Sequence, residues 1–265
     1  VLARQRQSLI LEQVRKTGAV RVSELVEQLG VSDMTVRRDL DVLAGRGLVD
    51  KVYGGATSVV GNSTEEPGFE AKSVRQLVEK EAIGALAAKI VRPSTALGLS
   101  AGTTTWTLAH YLADIPDLTI VTNSTRIAEV LQSPHRPDRT VVLTGGVRTP
   151  SDALVGPIAV NTMANLHLDL LFLGVHGMAA RSGFTTPNLE EGQANRAFID
   201  AAARTVVLAD HTKWGTVGIS TIADLTEADV LVTDDRIEED ARTVLSEHVG
   251  ELHIAAPHRR GSATA

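Results

Sequence analysis

Ser32, Asp33, Thr35, Arg37 and Arg38 lie within seven consecutive residues and bring together hydroxyls, a carboxylate and two guanidiniums. Groups of these types bond phosphate oxygens and base edges, and an arginine can fork onto O6 and N7 of guanine. Val36, Leu40 and Leu43 recur among them at helical spacing, so the pattern predicts a short helix with one apolar face and Ser32 as its N-cap. Asp39 is expected off that apolar face. The same pattern also fits an ordinary amphipathic helix whose arginines pair with Asp33, Asp39 or Asp41, Asp33 and Arg37 being one turn apart. A second group of candidates lies further along the chain. Ser100-Ala101-Gly102-Thr103-Thr104-Thr105 follows an apolar run and opens a helical one, which offers N–H groups and hydroxyls to an anion. Thr122-Asn123-Ser124, Gly145-Gly146, Gly174-Val175-His176-Gly177 and Asp210-His211-Thr212-Lys213 also follow apolar runs. Each alone reads as a tight turn. Together, with Lys213 for a phosphate, they read as an anion pocket. The Gly-Lys-Ser/Thr and Gly-x-Gly-x-x-Gly patterns are missing, and no His, Asp and Glu grouping has metal spacing, so no metal or cofactor is expected.

The elements that must position these groups follow from periodicity. A first helix is expected over 4–16, with Leu9, Ile10 and Val14 inward and Gly18 as its stop. Residues 20–22 read as extended. Ser23 then caps a second helix over 24–29, with Leu25, Val26 and Leu29 inward, and Gly30 ends it. Two short helices across a glycine turn have helix-turn-helix spacing. Residues 48–53 alternate as a small wing, with Lys51 and Tyr53 opposite Leu48 and Val52, and Gly54-Gly55 ends it. From residue 79 the pattern becomes βα alternation. Helices are expected over 81–91, 104–112, 126–131, 190–203 and 238–247, and strands over 95–99, 118–122, 140–144, 169–174, 205–209, 230–233 and 252–255. Continuous apolar strands between helices imply a parallel sheet covered on both faces. The fold class is α/β: a winged helix-turn-helix over 1–56, a linker over 57–78 in which 69–76 could add a helical turn, a Rossmann-like domain over 79–256 and a flexible tail over 257–265.

Composition agrees with two parts of different task. The 265 residues carry a net charge of −6. Residues 1–55 hold nine basic and seven acidic residues, a net +2, which leaves −8 for the remainder. A basic head on an acidic body suits a DNA-binding module joined to a domain that binds something else. With no cysteine, a disulfide framework and thiolate metal sites are excluded. Mean hydropathy is +0.04 and no run approaches the roughly 20 apolar residues that span a bilayer. No signal peptide is evident, so a cytoplasmic protein without membrane contact is expected.

Val31-Ser32, Thr35-Val36-Arg37-Arg38-Asp39-Leu40, Gly47-Leu48 and Gly54-Gly55-Ala56 resemble the N-terminal signature of the DeoR family of bacterial transcriptional repressors, over residues 4–56. Val52-Tyr53 stands where that family usually has Arg and His. The resemblance implies operator DNA as a partner, with the second helix of the motif in the major groove. Ser23, Ser32, Asp33, Thr35, Arg37, Arg38, Lys51 and Tyr53 are then the candidate DNA-facing residues. Residues 79–250 resemble the effector domain of the same family, which is related in fold to ribose-5-phosphate isomerase. That likeness implies a phosphorylated sugar or sugar derivative held by the Gly-Thr-Thr-Thr turn and the lysine loop. The candidate effector residues are Ser100, Ala101, Gly102, Thr103, Thr104, Thr105, Asn123, Gly145, Gly146, His176, Gly177, Glu191, Asp210 and Lys213. Ser100 stands where the family usually has Asp, and Asn188, Gln193 and Asn195 replace other charged residues after Thr185-Thr186-Pro187.

A phosphosugar isomerase with an appended DNA-binding domain is the alternative. An isomerase needs a general base, and the related enzyme carries carboxylates in the loop matching 174–178. Here that loop reads Gly-Val-His-Gly-Met and has no acid. The expected function is therefore a non-enzymatic repressor of carbohydrate genes, assembled as a homo-oligomer (dimer or tetramer) to match paired half-sites.

Overall fold

The structure, a computed structural model, describes residues 2–17, 19–45, 48–52, 54–58, 64, 68–133 and 136–256. The chain divides into two compact units, Val1–Asn62 and Ser63–Ala265.

In the first unit, α1 (Ala3–Thr17) is followed by β1 (Ala19–Arg21), α2 (Val22–Leu29), α3 (Asp33–Gly45), β2 (Val49–Val52) and β3 (Gly55–Ser58). The three strands form one antiparallel sheet in the order β1-β3-β2. Ile10, Val14, Leu25, Val36, Leu40, Leu43 and Val49 share one buried core. Gly30, at φ 64°, ends α2 in the left-handed conformation that glycine adopts without strain.

Leu9 faces outward, 46% exposed. Ser23 is not an N-cap: Arg21 caps α2, because Val22 must be buried and already belongs to the helix. Glu24 reaches back to accept the Arg21 N–H at 3.4 Å. The wing is a hairpin. Gly54 is in its turn and Gly55 begins its second arm, where a Cβ would lie 2.1 Å from the Val20 carbonyl oxygen. Its inward residue is Val49, while Leu48 and Val52 are exposed. Asp39 is only 4% exposed, not on the solvated face. It accepts from Arg6 Nε at 2.7 Å and Gln7 Nε2 at 3.0 Å, which fastens α3 to α1. Gly18, Tyr53 and the tail from 257 onward lie outside the described residues.

The second unit opens with α4 (Phe69–Ser73) and α5 (Leu77–Ala88), so residues 69–78 are not linker. Phe69 is buried, with its ring edge-to-face on Trp106 at 5.8 Å and the Arg126 guanidinium 5.3 Å above it. There follow β4 (Ala96–Leu99), α6 (Thr103–Tyr111), β5 (Leu118–Thr122), α7 (Thr125–Gln132), β6 (Arg139–Leu143), β7 (Val147–Arg148) and β8 (Leu154–Val155). The remainder is α8 (Pro157–Met163), β9 (Leu170–Gly174), β10 (Gly177–Ala179), β11 (Gly183–Thr186), α9 (Leu189–Ala201), β12 (Thr205–Leu208), β13 (Ser220–Ala223), β14 (Val230–Asp234), α10 (Glu239–His248) and β15 (Glu251–Ala255). Seven strands make one parallel sheet in the order β15-β14-β12-β9-β4-β5-β6. This is the doubly wound arrangement, with its reversal between β4 and β9. Both faces are covered, and alternate residues feed opposite cores. Leu171 and Leu173 of β9 join Phe198 and Met163, while Leu170 and Phe172 join Ile83 and Leu108. Periodicity missed β7, β8, α8, β10, β11 and β13. These elements are short, and none presents an alternation long enough to register.

Candidate functional site

The helix α3 is held by its apolar side, and its polar groups follow from that. The Ser32 hydroxyl accepts the Thr35 N–H at 3.3 Å and lies 2.9 Å from the Thr35 hydroxyl, so it starts the helix as its spacing implied. Arg37 donates through Nε and Nη2 to the two Asp33 oxygens, at 2.5 and 3.3 Å. Lys51 on β2 pairs with Asp41. Both ion pairs are exposed, and such pairs contribute about 0.2–1 kcal/mol, which a phosphate can readily outbid. Arg38 is exposed on the outer face and makes no ion pair among the described residues. Ser23 is exposed on α2.

In the second unit the reversal between β4 and β9 leaves a crevice beyond their carboxyl ends. The two loops that flank it are the first to line the cleft: Ala101, Gly102, Thr103 and Thr104 after β4, and Gly174, Val175 and His176 after β9. Lys213 joins from the loop after β12, the neighbour of β9. Ser151, Thr186, Pro187, Glu191 and Asn195 also line it, as does Lys72 of α4.

Of the fourteen residues expected to hold the effector, seven line this cleft: Ala101, Gly102, Thr103, Thr104, His176, Glu191 and Lys213. The other seven shape it from behind. The buried Ser100 Oγ accepts the Gly174 N–H at 2.9 Å and ties β4 to β9. Thr105 donates to the Gly102 carbonyl at 2.9 Å. Asn123 accepts the Ala101 N–H at 2.7 Å and donates to the Leu154 carbonyl at 3.1 Å. Asp210 is buried and accepts from Thr212 N–H and hydroxyl. Gly145 and Gly146 take positive φ, and a Cβ on Gly146 would meet Val155 oxygen at 2.3 Å. A Cβ on Gly177 would meet Thr216 oxygen at 2.1 Å.

Sequence reading missed Lys72 because it fell in the presumed linker, and Ser151 because the β7–β8 hairpin gave no periodic signal. Thr186, Pro187 and Asn195 stood in the stretch noted for its departures.

Charge in the cleft is mixed. Glu191 enters from the first turn of α9, capped by Asn188, whose Oδ1 accepts the Glu190 and Glu191 N–H groups at 3.0 and 3.2 Å. Its carboxylate accepts from Thr149 at 2.8 Å, from Thr186 at 3.3 Å and from Ser151. Cations gather at the cleft as well, Lys72 and Lys213 in its lining. Lys80 of α5 is buried and donates to the Lys72 and Arg75 carbonyls, at 2.6 Å each, closing the carboxyl end of α4. Burial lowers its ammonium to about 8; Asp210 pulls upward, while Lys213 and Lys72 push further down. Lys72, Lys80 and Lys213 thus influence one another, and Lys72 and Lys213 line the cleft together with the amino end of α6, where N–H groups already favour an anion. Among the described residues no group of three or more His, Asp or Glu is placed to hold a metal ion, and no helix is long and apolar enough to cross a membrane.

A helix-turn-helix head with a wing, joined to a doubly wound body with a cleft at its switch point, defines the class of DNA-binding transcription regulators with a sensor domain. Comparison with known proteins is specific on this point. Residues 6–61 match the DeoR-like helix-turn-helix domain, and residues 75–235 match the DeoR C terminal sensor domain. The chain belongs to the DeoR family of transcription regulators. It is 36% identical to the HTH-type transcriptional regulator YgbI of Escherichia coli K12, over 95% of this chain and 97% of that protein. It is 35% identical to the regulator GlpR of Haloferax volcanii, over 91% and 94%. With the glycerol-3-phosphate regulon repressor of Escherichia coli K12 it shares 29% identity, over 94% and 98%. Ribose 5-phosphate isomerase A from Methanocaldococcus jannaschii aligns over 52% of this chain and 54% of that one, at 14% identity and TM-score 0.38.

Proposed function

We propose that the chain represses carbohydrate-metabolism genes and that a phosphorylated sugar or related metabolite, held in the body cleft, governs its grip on operator DNA. The observation that carries the reading is the convergence of Lys72, Lys213 and the amino end of α6 on one crevice at the switch point. A phosphate there meets two ammonium groups and a helix N-terminus. Glu191, His176 and Asn195 face the same space and suit sugar hydroxyls. The name of one relative, the glycerol-3-phosphate regulon repressor, supports a small phosphorylated carbon compound. Glu191 serves as an acceptor already fixed by three hydroxyls, which supports a binding role over a proton-transfer role.

In the N-terminal unit, α3 enters the major groove, with Arg38 on guanine and Ser32, Thr35, Arg37 and Lys51 on phosphates or neighbouring base edges. The bodies pair the heads, so that two half-sites are read together. Ligand alters the outcome only by favouring one arrangement of the heads over another.

A thermal-shift screen of phosphorylated sugars on the full chain tests the cleft: one of them raises the body's melting temperature, and no response across the set overturns the assignment. For the head, Arg38→Ala is expected to weaken operator binding by about five- to a hundred-fold and to relax the preference for one base pair. Titration of a fluorescent operator reads both, and an unchanged isotherm removes Arg38 from the interface.

A further inference from the structure

Met34 occupies the first turn of α3 and is 80% exposed, among the most exposed large apolar side chains of the chain. It contributes nothing to the core. Val36, Leu40 and Leu43 are buried on the inward side, whereas Met34 lies one helical turn before Arg38 on the outward side. The hydroxyls beside it, on Ser32 and Thr35, are bonded to each other, and Arg37 is held by Asp33. Met34 therefore stands at the end of the helix that enters the groove first, beside Arg38, the arginine of α3 that makes no ion pair among the described residues.

A thioether side chain has no N–H or O–H to donate and only a weak acceptor, so it cannot read a base through strong hydrogen bonds. What it can do is cover apolar surface, and its three rotatable bonds let it fit an irregular one. The apolar feature of the major groove is the C5-methyl of thymine. Residues four apart on a helix have Cβ atoms about 5–6 Å apart, and successive base pairs rise about 3.4 Å. A methyl read by Met34 thus falls one or two base pairs from the pair read by Arg38.

We infer that Met34 is a specificity-determining residue that recognises a thymine methyl in each operator half-site. The inference rests on α3 lying in the major groove. The experiment begins with in vitro selection of a duplex operator by the full-length chain. Each thymine is then replaced singly by deoxyuridine, which deletes only the methyl. Binding is measured for the native protein, Met34→Ala, Met34→Leu and Arg38→Ala.

At one thymine per half-site, within two base pairs of the guanine on which Arg38 depends, deoxyuridine weakens native binding by about fourfold, the value of one buried methyl. The same change leaves Met34→Ala unaffected and still weakens Met34→Leu. Met34→Ala on the thymine operator matches native protein on the deoxyuridine one. If native and Met34→Ala respond alike at every thymine, the assignment to Met34 is overturned. If Met34→Ala instead lowers the mass of the assembly in sedimentation and leaves the methyl scan untouched, Met34 serves a contact between copies and the inference is also overturned. Failure of the groove reading itself looks different: Arg38→Ala then binds the operator as tightly as the native chain.

Discussion

Replacing Asp39 by alanine is expected to unfold the N-terminal unit while the body stays folded. Asp39 is buried between α3 and α1 and accepts from Arg6 Nε at 2.7 Å and Gln7 Nε2 at 3.0 Å. The Arg6 side chain is itself only 13% exposed, so the substitution takes a carboxylate partner from a guanidinium that is largely out of water. Breaking a buried pair in this way costs about 3–5 kcal/mol. A unit of this size has about that much stability in total. In calorimetry of the full chain, the head's transition should vanish or fall below room temperature, the body's should stand where it was, and operator binding should be lost. Asp39→Asn keeps the shape and part of the hydrogen bonding, and should fall between. A head transition that survives Asp39→Ala unshifted would show that the pair carries no such weight. The exposed pair Arg37–Asp33 gives the contrast: Asp33→Ala should change stability by no more than about 0.5 kcal/mol.

The second large effect is expected in the cleft. Lys213→Ala and Lys72→Ala should each weaken the ligand found by thermal shift by roughly ten- to a hundred-fold, the worth of one charge-assisted hydrogen bond at about 1.5–3 kcal/mol. On the proposed function both ammonium groups face one phosphate, so the double variant should lose less than the product of the single losses. Thr104→Ala, which removes one hydroxyl from the lining, should cost less than either. Operator binding without ligand should survive in all of them, because the residues altered lie outside the helix-turn-helix. Ser100→Ala separates lining from scaffold. It strands the Gly174 N–H that Ser100 Oγ now accepts at 2.9 Å, so it should lower the body's stability by about 1–3 kcal/mol. Its effect on affinity should be smaller than that of Lys213→Ala. Calorimetric titration beside thermal unfolding distinguishes the two outcomes. Equal ligand affinity in Lys213→Ala and native protein would move the anion out of this cleft.

Much of this architecture is legible before any fold is seen, because local periodicity reports which side of an element faces inward. Val36, Leu40 and Leu43 announce α3 and its buried side, and the hydroxyl of Ser32 announces where it begins. Apolar runs over 118–122 and 170–174 announce central strands, since a parallel strand is covered on both faces and needs no alternation. The Ser100-Ala101-Gly102-Thr103-Thr104-Thr105 loop after the run over 95–99 and Gly174-Val175-His176-Gly177 at the end of the run over 170–174 mark the carboxyl edge of the sheet, where open α/β folds in general bind ligands. The DeoR signature lies in the same local stretch of 31–56, so the family too is legible there.

Other features were decided by partners distant in sequence. Asp39 looks like one more charge on a solvated face until Arg6, 33 residues away, comes to lie against it. Lys72 looks like linker until Phe69 docks on Trp106 and carries α4 to the cleft. Strand order sorts the five loops that follow apolar runs at this edge. With β4 beside β9 and β12 next to it, the loops after these three strands supply lining residues, while those after β5 and β6 brace them from the flank. Periodicity says that a strand is buried and gives no information on which strand lies beside it. Neighbour choice depends on long-range pairing, and that pairing sets the hydrogen bonds of Ser100, Asn123 and Asp210 behind the lining residues Thr104, His176 and Lys213.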